Sequence, residues 1–107
     1  MDLKLAGKCA VVTGGSRGIG KAIALNLASE GVNVAIAARN QKRLDDSVTE
    51  ISKATGSKVI GIQCETTNEA SVSSLMEKVV LELGGLDILV NNAAPVSYTH
   101  LTLPTKA

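Results

Sequence analysis

Aromatic side chains are almost absent from this chain, which has one tyrosine, no phenylalanine and no tryptophan among its 107 residues. This scarcity excludes a core built on aromatic packing. Because 45% of the residues are nevertheless hydrophobic, the core must consist of valine, isoleucine, leucine and alanine. Such a composition is typical of a parallel sheet covered by helices, and the length suits one domain.

Several other features are missing as well. The net charge is only +1, so nothing in the charge balance favours a nucleic acid or a membrane surface as a partner. The two cysteines, Cys9 and Cys64, form no C-x-x-C pair, and we expect buried free thiols rather than a metal site. Residues 1–5 lack the hydrophobic region of a signal peptide, and no apolar run approaches the length of a membrane span. These observations predict a cytoplasmic protein.

Strand-like and helix-like patterns alternate regularly along the chain. The predicted strands are residues 8–13, 32–38, 58–64 and 86–90, and the predicted helices are residues 18–30, 41–54 and 68–83. In the first helix, Ile19, Ile23 and Leu27 share one face. Thr66 and Glu69 have the spacing of a capping box at the start of the third helix. Each helical run is followed by a glycine at a typical C-terminal cap position, namely Gly31, Gly56 and Gly84.

A glycine-rich segment, TGGSRGIG at residues 13–20, lies between the first predicted strand and the first predicted helix. A strand, a glycine-rich turn and a helix together bind the pyrophosphate of a dinucleotide. The helix N-terminus offers unpaired N–H groups and a dipole that favours negative charge. Glycines let the backbone approach the phosphates closely and adopt positive φ. The segment therefore predicts a dinucleotide-binding turn.

The order β-α-β-α-β-α-β with right-handed crossovers places helices on both faces of one sheet. We therefore predict an α/β fold, a Rossmann-like doubly wound parallel sheet with strand order 3-2-1-4, over residues 1–94. Residues 95–107 follow neither period, which predicts an irregular tail. Residues 96–105 also resemble translated sequencing adapter, which predicts that this tail is artefactual.

Residues 3–94 resemble the N-terminal half of the short-chain dehydrogenase/reductase family. Residues 13–20 fit its T-G-x-x-x-G-x-G turn, and residues 87–94, DILVNNAA, fit its D-I-L-V-N-N-A-G element except that Ala94 replaces the glycine. A glycine-rich turn alone is weak evidence, whereas the two motifs together are specific. Within the family, the sequence resembles the 3-oxoacyl-acyl-carrier-protein reductase-like members. The resemblance implies an NAD(P)-dependent oxidoreductase, homo-oligomeric as a whole protein, that interconverts a small carbonyl and an alcohol by hydride transfer.

The resemblance also implies the residues that bind the cofactor. Those expected at the pyrophosphate and the adenosine ribose are Gly14, Ser16, Arg17, Gly18, Ile19 and Gly20. Asn92 and Ala93 are expected beside the adenine ribose. Glu65 and Thr66 are expected to flank the adenine, where the family usually has aspartate and an aliphatic residue.

The end of the second predicted strand bears on the choice of cofactor. An NAD site usually carries an acid about 20 residues beyond the glycines, which accepts a hydrogen bond from the ribose 2′-OH. This strand instead ends in Ala37-Ala38-Arg39-Asn40. Arg39 is suited to bind a 2′-phosphate with its forked donors, and Arg17 can supply a second cation. A surface arginine without a ligand is the simpler alternative. We predict that NADP(H) is preferred over NAD(H).

The residues that the family uses for chemistry have no counterpart in this sequence. The family's Tyr-x-x-x-Lys pair, serine and further asparagine lie beyond the half that these residues resemble. The only tyrosine, Tyr98, is followed four residues later by Thr102, and Ser97, His100 and Lys106 have no suitable partners. We therefore assign no catalytic residue, and no metal ligand, and we expect the chain alone to be inactive.

Two other functions compete with that of a reductase. A non-catalytic nucleotide-binding module, acting as a sensor or a partner protein, remains open as the alternative. A methyltransferase that binds adenosylmethionine would carry an acid at the end of the second strand and no N-N-A segment. Arg39, Asn91 and Asn92 oppose that possibility.

Overall fold

The computed structural model describes residues 5–14, 18–65 and 68–92, which form one four-stranded sheet flanked by three helices. In chain order the elements are β1 (Cys9–Thr13), α1 (Gly18–Ser29), β2 (Asn33–Ala38), α2 (Gln41–Thr55), β3 (Val59–Gln63), α3 (Glu69–Leu83) and β4 (Ile88–Asn91). The strand order is β3-β2-β1-β4, and every neighbouring pair is parallel. The predicted α/β fold, strand order and element types are thus confirmed. The predictions for residues 95–107 lie outside the described residues.

The central strands are buried on both faces, as parallel strands between layers of helices must be. Side chains alternate along β1, so Ala10 and Val12 pack into one hydrophobic cluster while Val11 packs into the other. The first cluster contains Leu44 of α2, and the second contains Leu75 of α3. The helices therefore cover opposite faces of the sheet, and small aliphatic residues suffice to fill both interfaces.

The inward face of α1 is built from small residues. Its fully buried positions are Gly20, Ala24 and Ala28. Of the apolar face expected from the sequence, Ile23 and Leu27 are only half-buried, and Ile19 is 72% exposed. A glycine and two alanines let the helix axis approach the sheet, so the larger side chains are displaced to the sides of the contact.

Helix ends agree with the sequence at the glycines and differ at one N-terminus. Gly31, Gly56 and Gly84 all have positive φ, as expected after helices. The start of α3, however, is capped by Asn68, whose side chain accepts a hydrogen bond from the Ser71 N–H at 3.1 Å. The capping box expected from Thr66 and Glu69 is therefore wrong, because the helix begins at Glu69 itself and an asparagine directly before it satisfies the exposed donor.

Asp87 fixes the edge strand β4 against β1. Its Oδ2 accepts a hydrogen bond from the Cys9 N–H at 2.8 Å, and its own N–H donates to the Cys9 carbonyl at 2.8 Å. The thiols of Cys9 and Cys64 are both free and buried, as expected. None of the helices in the described ranges combines the length and the hydrophobicity needed to cross a membrane.

Candidate nucleotide-binding site

The order in which the chain adds strands to the sheet reverses at β1. From β1 the chain crosses to β2 and then β3 on one side, and β4 returns to the other side of β1. The carboxyl ends of β1 and β4 therefore lie at the point where the strand order reverses. In open α/β sheets, ligands bind in the crevice at this point.

Gly20 brings three chain segments together at this crevice. A Cβ atom added to Gly20 would overlap the carbonyl group of Gly14 and would lie 2.7 Å from Nδ2 of Asn92. Gly14 follows β1 and Asn92 follows β4, so the first turn of α1 packs directly on the ends of both strands. Only a residue without a side chain permits this approach.

Thr13 connects the ends of β1 and β4 through its buried side chain. Its Oγ1 accepts a hydrogen bond from the Asn92 N–H at 3.0 Å. The same hydroxyl lies 3.1 Å from Oδ1 of Asn91 and 3.3 Å from the carbonyl oxygen of Val90, so its single proton serves these two acceptors. Thr13 is the first residue of the glycine-rich motif, but the motif by itself predicts no function for it. Its position at the end of β1 is the signal that identifies it as a positioning residue for Asn92.

The N-terminus of α1 is suited to an anion. The helix begins at Gly18, just beyond the carboxyl end of β1, and its first turn contains no acidic residue. Gly14 has a φ of 71° and donates its N–H to the carbonyl of Ala37 in β2 at 2.7 Å. This positive φ turns the chain away from the sheet immediately after β1. The dipole and the N–H groups of a helix N-terminus therefore favour a phosphate at this place.

Two charged residues lie at the carboxyl ends of β2 and β3. Arg39 directly follows β2, and its Nη1 is 3.6 Å from Oε2 of Glu65, which lies two residues beyond β3. The side chain of Arg39 is 76% exposed and that of Glu65 is 44% exposed. The guanidinium therefore faces solvent at the same edge of the sheet as the Gly20 contact.

The described site residues form two groups. Gly14, Gly20 and Asn92 are in direct contact, and Arg39 and Glu65 form an ion pair. Gly18 and Ile19 lie exposed in the first turn of α1. The remaining candidates, Ser16, Arg17, Thr66 and Ala93, lie outside the described residues. The structured part of the chain holds no group of three or more histidine, cysteine or acidic residues that could bind a metal ion.

Comparison with known sequences assigns the chain to a family. The family model described as short chain dehydrogenase matches residues 8–104. Because this match covers most of the chain, the protein belongs to the short-chain dehydrogenase family, whose members are oxidoreductases. The family resemblance expected from the two motifs is confirmed.

Two relatives illustrate the range of this similarity. Hydroxysteroid dehydrogenase-like protein 2 of Bos taurus is 44% identical over 110 residues, covering 96% of this chain and 26% of the relative. The 3-oxoacyl-(acyl-carrier-protein) reductase of Staphylococcus aureus is 45% identical over 86 residues, covering 80% of this chain and 35% of the reductase. The chain thus spans between a quarter and about a third of the length of these relatives.

Solved structures agree on the fold and differ in the cofactor named. L-Sorbose reductase from Gluconobacter frateurii, solved with NADPH and L-sorbose, superposes with a TM-score of 0.84 at 38% identity, covering 91% of this chain and 37% of that one. An NAD⁺-bound xylitol dehydrogenase superposes with a TM-score of 0.81 at 34% identity, covering 86% of this chain and 35% of that one. Neighbours of this fold therefore bind a nicotinamide dinucleotide, in either the phosphorylated or the unphosphorylated form.

Proposed function

We propose that this chain is the cofactor-binding N-terminal part of an NADP(H)-dependent oxidoreductase that reduces a carbonyl or oxidises an alcohol by hydride transfer. The packing of Gly20 on Gly14 and Asn92 at the strand-order reversal carries the proposal. This contact sets the N-terminus of α1 at the carboxyl ends of β1 and β4, where the proposal places the pyrophosphate. The residues present thus fit a dinucleotide, because an anion there would meet backbone donors and no carboxylate of the first helical turn.

Each part of the site has a separate task in this proposal. The turn after β1 and the first turn of α1 hold the pyrophosphate, and Asn92, held by Thr13, borders the adenine ribose. Glu65 lies at the end of β3, where it flanks the adenine. When bound, the cofactor supplies the hydride for carbonyl reduction or accepts it from an alcohol. The residues described here bind and orient the adenosine half, while the substrate and the proton donor are held elsewhere in the whole protein.

Arg39 supports the phosphorylated cofactor as the preferred one. It occupies the end of β2, where a carboxylate would accept a hydrogen bond from the 2′-OH of NAD(H). An exposed guanidinium instead attracts the 2′-phosphate of NADP(H) through charge-assisted hydrogen bonds. The other cation expected to contribute, Arg17, lies outside the described residues.

Calorimetric titration tests this preference directly. The chain is joined to the C-terminal part of the Staphylococcus aureus reductase relative, so that a complete cofactor site is present, and is titrated with NADP⁺ and NAD⁺. We expect tighter binding of NADP⁺, because only that dinucleotide presents a 2′-phosphate to Arg39. Equal affinities, or tighter binding of NAD⁺, would refute the preference.

The 107-residue chain by itself is expected to reduce no carbonyl compound with NADPH. Hydride transfer builds negative charge on the carbonyl oxygen, and this charge needs a positioned acid. The only tyrosine, Tyr98, has threonine rather than lysine four residues later. The measurement is NADPH oxidation with a panel of ketones, aldehydes and acyl thioesters. Activity that survives repurification and disappears in Tyr98→Phe would contradict the prediction. Nucleotide binding without activity would agree with it, and a non-catalytic binding module would give the same result.

The whole protein is further proposed to be cytoplasmic and homo-oligomeric. Two buried free thiols suit a reducing compartment, where disulfides are rare. Oligomerisation is proposed from the family resemblance alone, and size-exclusion chromatography with light scattering on the complete protein tests it.

A further inference from the structure

The ion pair between Arg39 and Glu65 joins the ends of two neighbouring strands. Nη1 of Arg39 and Oε2 of Glu65 are 3.6 Å apart, which is longer than a hydrogen bond and short enough for direct charge pairing. Both side chains are substantially exposed, at 76% and 44%. An exposed pair of this kind contributes little to folding stability. Its main consequence is therefore electrostatic, at the surface where the 2′-phosphate is proposed to bind.

The backbones of both residues are held by hydrogen bonds. The side chain of Gln63 donates to the Arg39 carbonyl at 2.9 Å, and the Cys64 N–H donates to the Ala38 carbonyl at 3.0 Å. On the other side, the Glu65 N–H donates to Oγ of Ser71 at 3.1 Å. These bonds fix the two ends of the pair relative to the sheet and to α3. The charged groups of Arg39 and Glu65 therefore face each other because strand pairing and the position of α3 fix their backbones.

The length of the acidic side chain contributes to this contact. Aspartate, the acid that the family resemblance implies at this position, is one methylene shorter than glutamate. The additional methylene lets the carboxylate approach the guanidinium at the end of the adjacent strand. A shorter acid on the same backbone would remain farther from Arg39.

We propose that Glu65 is a specificity-determining residue that acts through Arg39 and limits the preference for a nucleotide with a 2′-phosphate. Its carboxylate offsets part of the guanidinium charge, so the approaching phosphate meets a smaller positive potential than Arg39 alone would provide. The proposal rests on the proposed function, because it takes Arg39 as the residue that binds the 2′-phosphate. It predicts that the selectivity of this site is set by the pair of residues.

The experiment is a double-substitution cycle on the chain joined to the C-terminal part of the Staphylococcus aureus reductase relative, with two small nucleotides. Dissociation constants for 2′,5′-ADP and 5′-AMP are measured by calorimetry in the original chain, Glu65→Gln, Arg39→Gln and the double variant. Glutamine keeps the length of Glu65 and one acceptor oxygen while it removes the charge. The ratio of the two constants cancels any effect on the adenosine part that both nucleotides share.

Removing the carboxylate is expected to raise the preference for 2′,5′-ADP about threefold, as suits the loss of one exposed ion pair. This effect should be largest at about 0.01 M ionic strength and should vanish at about 1 M, where the screening length is about 3 Å. The double variant should match Arg39→Gln, because Glu65 acts through the arginine. Glu69→Gln is the matched control, since it removes an exposed charge from the first turn of α3 without touching the pair.

The outcomes separate this inference from the proposed function. If Arg39→Gln abolishes the preference while Glu65→Gln leaves it unchanged or lowers it, the inference is wrong and the cofactor proposal stands. If Glu65→Gln raised the preference for 2′,5′-ADP equally with and without Arg39, the carboxylate would repel the phosphate directly. If Glu69→Gln raised this preference as much as Glu65→Gln does, the effect would be one of general charge. Either result overturns the inference. If the original chain shows no preference for 2′,5′-ADP and Arg39→Gln changes nothing, the cofactor preference itself is wrong.

Discussion

Gly20→Ala is expected to lower the free energy of unfolding by about 2 kcal/mol and to weaken nucleotide binding by about tenfold or more. The new Cβ would overlap the Gly14 carbonyl and approach Nδ2 of Asn92. Alanine favours the helix over glycine by about 1 kcal/mol. A clash with backbone atoms cannot be relieved by a rotamer change, however, so the steric cost exceeds this gain. Chemical denaturation and calorimetric titration with 2′,5′-ADP measure the two effects.

Gly56→Ala is the matched control for this substitution. Gly56 has a φ of 71° at the end of α2, and an added Cβ would meet no atom within 4 Å. Alanine there should cost about 1–2 kcal/mol through its unfavourable left-handed backbone and should leave nucleotide affinity unchanged. The site geometry described above would be contradicted if Gly20→Ala bound 2′,5′-ADP as tightly as the original chain under conditions where both are folded.

Arg39→Asp is expected to invert the cofactor preference of the completed protein. The substitution removes charge-assisted hydrogen bonds worth about 1.5–3 kcal/mol, so NADP⁺ affinity should fall by about ten- to a hundredfold. The new carboxylate also repels the 2′-phosphate, while it can accept a hydrogen bond from the ribose 2′-OH of NAD⁺. Calorimetric titration of the variant with both dinucleotides measures the change.

Lys53→Asp serves as the control for Arg39→Asp. It changes the net charge by the same amount, but it lies in the last turn of α2, at the far end of the helix from Arg39. We expect the NADP⁺ to NAD⁺ ratio to stay unchanged in this variant. If Arg39→Asp retained a preference for NADP⁺, or if Lys53→Asp shifted the ratio equally, Arg39 would not be the residue that selects the cofactor.

Most of the fold follows from local patterns in the sequence. The four strands and three helices lie within two residues of their expected bounds, because apolar runs and amphipathic periods mark the elements and a glycine follows each helix within two residues. Gly56 and Gly84 end their helices as expected. The start of α3 was not predictable from the Thr66–Glu69 spacing, because two alternative capping residues lie close together and only the helix geometry selects Asn68.

The candidate site was predictable as a set of motifs but not as a set of contacts. Gly20 and Asn92 are more than 70 residues apart in the sequence, and their meeting depends on β4 pairing with β1. The bonds of the Thr13 hydroxyl depend on the same pairing. No local signal gives the exposure of Ile19, because it results from how closely the glycine and alanines of α1 approach the sheet.

The sequence by itself determined the element types, the parallel α/β class, the family and the expected dinucleotide turn, because these depend on periodicity and on short motifs whose chemistry is local. The tertiary structure alone decided which side chains meet. Strand pairing brought the ends of β2 and β3 together, so that Arg39 lies near Glu65, and it set Asn92 against Gly20. The reason is physical: hydrophobic period and turn chemistry act over a few residues, whereas a contact between distant residues is fixed only when the whole sheet pairs and its helices pack on both faces.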